Sequence, residues 1–324
     1  MPRKPQPASV EGALIINKPA GKTSHDVVEA VRRLLGFRQI GHLGTLDPLA
    51  TGVLPLLLGR ATRLAQFYSG RRKRYECSFR FGFATDTYDA EGEPQGPDAA
   101  PALDRAGLEE LAARFVGRFE QMPPRFSAKK VGGRPAHELA RKKKSVELKP
   151  VEVEVYEFRL EGVDGSSARF TIECASGTYV RALAHDLGRL QGSGAHLAAL
   201  TRTAVGEFTL DAAVTLEELA AAAAAGRAAE LVTPMESLLP ELPRVTVLPI
   251  IERRVRHGAR FNVAIAQIQP GQTTAAQGAT AELDSGEWKP ARLRVFNQQL
   301  KLIAIAQAVV PRTYQPVVVL DAAP

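Results

Sequence analysis

Residues 41–59 read GHLGTLDPLATGVLPLLLG, a loop bounded by glycine, threonine and proline that carries one acid, Asp47, and then runs into an apolar segment. Pro48, Leu49, Ala50 and Thr51 follow Asp47, so the carboxylate stands beside apolar surface that discourages its solvation. A carboxylate held in this way is usable as a nucleophile or base. The same residues also spell an Asp-Pro turn closed by Gly52. Local sequence leaves both readings open.

Outward from the loop, the pattern is that of a mixed α/β (α+β) fold. From Tyr75, YECSFRFGF alternates, with Tyr75, Cys77, Phe79, Phe81 and Phe83 on one face of a strand, and Ser167 to Ala175 repeats the pattern. The phase of Val151, Val153 and Val155 slips to Tyr156, Phe158 and Leu160, which predicts a bulge within one strand. Ser24 is placed to cap a helix with Val27, Val28, Val31, Leu34 and Leu35 on one stripe and Gly36 at its end. Leu108, Leu111, Ala112 and Phe115 mark a second helix, and Val180, Leu183, Ala184, Leu187 and Leu190 a third. Strands in hairpin spacing with helices interspersed predict a mixed, largely antiparallel sheet flanked by helices.

Composition narrows the class. A chain of 324 residues, 45% apolar, buries a large core and is long enough for two domains. No run of eighteen apolar residues occurs and the first residues lack the apolar core of a signal peptide, so a cytoplasmic protein without membrane contact is expected. The two cysteines, Cys77 and Cys174, fall at apolar strand positions and read as buried thiols. The six histidines lack zinc-site spacing, and neither phosphate-loop nor dinucleotide glycine patterns are present. A reaction without metal or cofactor is the expectation.

The net charge of +7 is localised. Nine basic residues (Arg125, Lys129, Lys130, Arg134, Arg141, Lys142, Lys143, Lys144 and Lys149) and two acids lie between Arg125 and Lys149, which accounts for the whole excess. Such a patch suits a polyanion, because each phosphate it neutralises releases counterions. A second basic run, Arg71 to Arg74, lies just before Tyr75.

The loop around Asp47 resembles the signature motif of the TruB family of tRNA pseudouridine synthases, G-x-L-D-P-x-A-T-G. Three further segments resemble that family's other motifs in order: Asn17 to Ser24, Lys73-Arg74-Tyr75, and Ser176 to Arg181. The likeness runs from about Gly12 to about Leu239. It implies isomerisation of uridine 55 to pseudouridine in the T arm of tRNA, with Asp47 as the catalytic nucleophile. It further implies Arg181 as the partner that orients Asp47 through a two-pronged pair, and Tyr179 near C5 of the base as proton acceptor. Tyr75 would stack on the uracil, Leu200 would close the apolar side of the pocket, and His42 would fill the place left by the flipped base. Lys18 and Pro19 are implied as supports of the Asp47 loop, and the insertion at about 124–150 as an RNA-gripping thumb.

The resemblance divides the chain into a flexible start (1–10), a catalytic domain (11–238) and a C-terminal PUA-like RNA-binding β-barrel (239–324), with a Gln/Thr/Ala/Gly-rich insert at Ala264 to Glu287. It implies tRNA as partner, a monomer, and no obligatory protein partner. Two other readings are a guide-RNA-dependent (H/ACA-type) synthase, which the basic insertion disfavours, and a non-catalytic tRNA-binding or folding protein, which the set Asp47, Tyr75, Tyr179 and Arg181 disfavours.

Overall fold

The computed structural model describes residues 10–124, 149–272 and 291–321, with the backbone of residues 130–131 and 134–135. The basic residues from Arg125 to Lys144 expected to form a thumb, the first nine residues, and most of the insert at 264–287 lie outside the described side chains. Between residues 125 and 148 a short antiparallel pair, Lys130–Val131 with Arg134–Pro135, is described.

In chain order the strands are β1 (Gly12–Lys18), β2 (Ile40–His42), β3 (Thr51–Leu58), β4 (Lys73–Phe81), β5 (Gly117–Gln121), β6 (Lys130–Val131), β7 (Arg134–Pro135), β8 (Val151–Asp164), β9 (Ser167–Cys174), β10 (Ala195–Val205), β11 (Phe208–Thr209) and β12 (Val232–Pro234). The second part of the chain adds β13 (Arg244–Thr246), β14 (Phe261–Asn262), β15 (Ile268–Gln269), β16 (Arg292–Phe296), β17 (Leu302–Val310) and β18 (Thr313–Val319). The helices are α1 (Ser24–Leu35), α2 (Arg105–Ala113), α3 (Val180–Gln191), α4 (Leu216–Ala224) and α5 (Pro249–Arg256).

The first sheet runs β12-β1-β3-β10-β4-β9-β8-β5, with β2 beside β3 and β11 beside β10. Its pairs are antiparallel except for β3 with β10, where Thr51 and Gly52 lie opposite Thr201 and Arg202. Burial explains the two kinds of strand pattern. In β4 only alternate residues, Tyr75, Cys77, Phe79 and Phe81, enter the core beneath the helices. In β3 every residue from Gly52 to Leu58 is buried, because Leu54, Leu56 and Leu58 face the helices while Val53 and Leu57 face a second core behind the sheet. That is why the apolar run after Asp47 is continuous instead of alternating.

On the helix side, Phe79, Phe158 and Phe170 meet with ring centroids 6.0, 4.9 and 5.1 Å apart. Truncating one such ring costs about 3–5 kcal/mol. The predicted phase slip in β8 is present as a register shift between Val155 and Glu157 against β9. Helix α1 departs from expectation by one residue. Thr23 is its cap, accepting from Asp26 N at 3.1 Å while Asp26 accepts from Thr23 N at 2.9 Å. Ser24 turns inward instead. Phe115 lies beyond the end of α2, and Leu34 and Leu190 are exposed at the edges of their stripes.

The second sheet has the order β14-β18-β17-β16-β13-β15. Its end strands β14 and β15 are two residues long and do not pair with each other, so among the described residues the expected barrel is an open sheet. Val255 of α5 fills its core beside Val295, Ile303 and Tyr314.

The proline-rich stretch around Leu239 is not a solvated linker. Leu238 and Leu239 are fully buried in the core behind the first sheet, together with Phe296, Leu302, Ile305 and Val318 from the second. The buried Arg294 donates to Leu242 O at 3.0 Å and Leu238 O at 3.3 Å, satisfying backbone carbonyls in this stretch.

Candidate active site

The loop between β2 and β3 is fastened by three side chains before any chemistry is considered. Ser24 Oγ accepts from Leu46 N at 2.8 Å and donates to Leu46 O at 3.1 Å, pinning the residue before Asp47 to the start of α1. Lys18, fully buried, donates to Pro48 O at 3.2 Å, Pro19 O at 2.9 Å and Lys22 O at 2.5 Å. Arg202, also fully buried, donates to Gly44 O at 3.0 Å, Thr45 O at 3.3 Å and Val53 O at 2.8 Å. Gly52 permits this closeness. A side chain there would meet Arg202 O at 2.3 Å, and its φ of +95° is one that L residues rarely adopt.

Asp47 emerges from this frame with its side chain 39% exposed. Behind it lies Arg181, from the first turn of α3, whose Nε is 2.9 Å from Asp47 Oδ2. Behind Arg181 lies Asp89, whose Oδ2 accepts from Arg181 Nη1 at 3.1 Å. Arg181 and Asp89 are both buried, at 6% and 3% exposure. Asp89 is itself fixed, its Oδ1 accepting from Thr87 Oγ1 at 2.5 Å and from Glu91 N at 3.1 Å. Arg181 also donates to Thr87 O at 3.1 Å. Arg181 thus reaches two carboxylates, Asp47 through Nε and Asp89 through Nη1.

Burial pushes the Asp47 carboxyl above its ordinary range, Arg181 pulls it down, and Asp89 pushes it up again. Burial lowers the Lys18 amine to about 8 against the favourable pull of Asp47. The ion pair with Arg181 favours the charged form of Asp47 against burial, and the carboxylate is the form in which it can act as a nucleophile or base. Among the described residues no group of three His, Cys, Asp or Glu side chains is placed to hold a metal ion.

The other predicted residues gather around this centre to different degrees. Tyr75 and Leu200 face the core beneath the helices at 6% and 8% exposure, on the adjacent strands β4 and β10. Burial raises the Tyr75 phenol to about 12, so it stays neutral. Tyr179 caps α3, and the buried Gln121 clamps its backbone, accepting from Tyr179 N at 2.8 Å and donating to Tyr179 O at 3.1 Å. His42 is exposed at the end of β2, with Gly44 N donating to its Nδ1 at 3.3 Å. Pro19 is exposed and takes part through its carbonyl. Sequence reading missed Asp89, Arg202, Gln121 and Ser24. Asp89 sits in the polar stretch TDTYDAEGE, where nothing separates it from Asp86, Glu91 or Glu93.

Residues 32–180 match the model of the TruB family pseudouridylate synthase N-terminal domain, and residues 181–240 that of the tRNA pseudouridylate synthase B C-terminal domain. A protein of Solibacter usitatus named tRNA pseudouridine synthase B is 45% identical over 96% of this chain and 100% of its own length. The chain belongs to the TruB family of pseudouridylate synthases. A second TruB relative, from Symbiobacterium thermophilum, is 47% identical over 78% of this chain and 83% of its own. Among solved structures, a Cbf5-Nop10-Gar1 complex contains a chain similar at TM-score 0.71 and 23% identity, covering 99% of this chain and 88% of that one. At that identity the likeness is one of fold.

Proposed function

We propose that this TruB-family chain converts uridine 55 in the T arm of tRNA to pseudouridine, acting as a monomer on free tRNA in the cytoplasm. It is a tRNA pseudouridine synthase, an isomerase. The observation that carries the reading is the line from half-buried Asp47 through buried Arg181 to buried Asp89. A binding surface has no need of a half-buried carboxylate paired with an arginine that a second, buried carboxylate holds in turn.

In the reaction, the uridine leaves its stack and enters the pocket, with His42 taking its place in the loop. Tyr75 stacks on the uracil and Leu200 closes the apolar side. Asp47 drives cleavage of the bond between N1 and the ribose, the base turns, and C5 joins the ribose carbon. The proton lost from C5, accepted at Tyr179, is balanced by the proton gained at N1, so no co-reactant is consumed. Arg181 orients Asp47, and Lys18 and Pro19 hold the loop beneath it. The basic segment at about 124–150 and the second sheet supply the further grip on RNA.

The relatives that match at 45% and 47% identity are named as tRNA enzymes, which favours free tRNA over a guided substrate. Purified protein incubated with unmodified tRNA transcript, without guide RNA or partner protein, tests this reading. Pseudouridine is expected at position 55 and absent when that position is cytidine. Product only with a guide RNA or partner protein present would favour the guided alternative, and binding without product the non-catalytic one.

A further inference from the structure

The basic run Arg71 to Arg74 divides into two kinds of residue. Arg71 pairs with Glu241, Arg72 lies 3.1 Å from Glu173, and Arg74 lies 3.2 Å from Glu157 and 3.5 Å from Glu173. Lys73 alone has no carboxylate partner among the described residues. It points to the other face of β4, the face that carries Tyr75 two residues on, about 6.6 Å along the strand. Its Nζ donates to Ser176 Oγ at 3.2 Å, in the turn that leads to Tyr179. It also lies against the loop of Asp47, 3.3 Å from where a side chain at Gly44 would begin, with Arg202 Nη1 at 3.7 Å from the same point.

Two cationic side chains therefore lie near the same point beside Gly44, and no carboxylate pairs with Lys73 among the described residues. Arg202 is fully buried and donates to three backbone carbonyls, so it is not available to a ligand. Lys73 is only partly buried and spends one of its three protons on Ser176. Burial and the charge of Arg202 lower its amine to about 8, with Cys174 opposing, so an approaching anion would relieve an existing penalty.

We propose that Lys73, with Ser176 Oγ beside it, binds a backbone phosphate of the RNA next to the nucleotide that stacks on Tyr75. The proposal rests on the reading of the chain as a tRNA pseudouridine synthase. The phosphate is the anion nearest to a base on Tyr75, and the lysine sits one step along the same strand face. Its role is to fix the strand of the target nucleotide beside Asp47, which makes it a binding residue and not a member of the reacting set.

The test compares Lys73→Gln with Arg74→Gln, which removes the same charge from the carboxylate-paired face. Lys73→Gln is expected to raise KM for tRNA about tenfold, with kcat within about twofold. It should lower the slope of log affinity against log salt by roughly 0.7 to 0.9, the share of one phosphate contact. Arg74→Gln should leave the slope unchanged. An unchanged slope in Lys73→Gln, or an equal drop in both variants, would overturn the proposal. If Lys73→Gln fails to fold, reductive methylation of the unaltered protein decides. Lys73 should react in the free protein and be protected by saturating tRNA; equal reaction with and without tRNA, or no reaction in either, overturns it. Failure of the unaltered protein to form pseudouridine would instead refute the underlying reading.

Discussion

Arg181 is gripped by Asp89 at 3.1 Å through Nη1 while its Nε lies 2.9 Å from Asp47, so the residue paired with the half-buried carboxylate is itself held by a buried one. A single arginine spans both because its nitrogens are fixed in one plane and point in different directions. Burial increases along the line, from Asp47 at 39% side-chain exposure through Arg181 at 7% to Asp89 at 4%.

Replacing Asp47 by Asn should abolish pseudouridine formation while tRNA binding stays within about threefold, since removing a covalent catalyst leaves the binding interactions in place. Single-turnover product formation and filter binding measure the two. Turnover at even about a tenth of the normal rate would refute Asp47 as the nucleophile.

Arg181→Lys should lower kcat by about a hundredfold and fail to restore what Arg181→Met loses, because one ammonium cannot reach both carboxylates in the required directions. Asp89→Asn should lower stability by about 3 kcal/mol, the usual cost of breaking a buried pair. Denaturant titration reads the second effect and presteady-state kinetics the first. A fully active lysine variant would leave Arg181 only a simple charge role.

The pH dependence has a definite sign. Asp47 must be ionised to react, and burial raises its pKa, so kcat/KM should fall as pH drops through a value above the ordinary carboxylate range. Arg181→Met removes a lowering influence and should move that acid limb to higher pH. Asp89→Asn removes a raising influence and should move it to lower pH. Rate profiles of both variants check this, and shifts in the same direction would contradict the arrangement.

Replacing Lys142, Lys143 and Lys144 with Gln should weaken tRNA binding and reduce the salt slope by roughly 0.7 to 0.9 for each phosphate no longer neutralised. The rate at saturating tRNA should change little, since none of the three is proposed to touch the reacting uridine. An unchanged slope would place the RNA grip elsewhere.

Much of the fold was legible because it depends on local periodicity. The strand at Tyr75, the bulge after Val155 and the stripe of α1 are each written in consecutive residues, where side-chain phase and strand geometry have the same period. The cap of α1 was misread by one position because Thr23 and Ser24 are both good caps. Only the contact of Ser24 with Leu46, twenty-two residues away, decides between them. The closed barrel failed for a related reason: alternation marks strands, but closure depends on whether end strands meet, and β14 and β15 do not.

At the site, the sequence by itself singled out Asp47 as a lone acid in a glycine- and proline-bounded loop that ends in a continuous apolar strand, and the resemblance of that loop to the family motif carried its expected role. Only the tertiary structure decided what holds that carboxylate. Asp89 lies forty-two positions from Asp47 and ninety-two from Arg181, and Arg202 crosses from β10 to brace the loop from beneath. Such partners are selected by a desolvated charge that needs an opposite charge or a carbonyl within hydrogen-bonding reach. That requirement acts through space, and leaves no period or spacing in the chain to read.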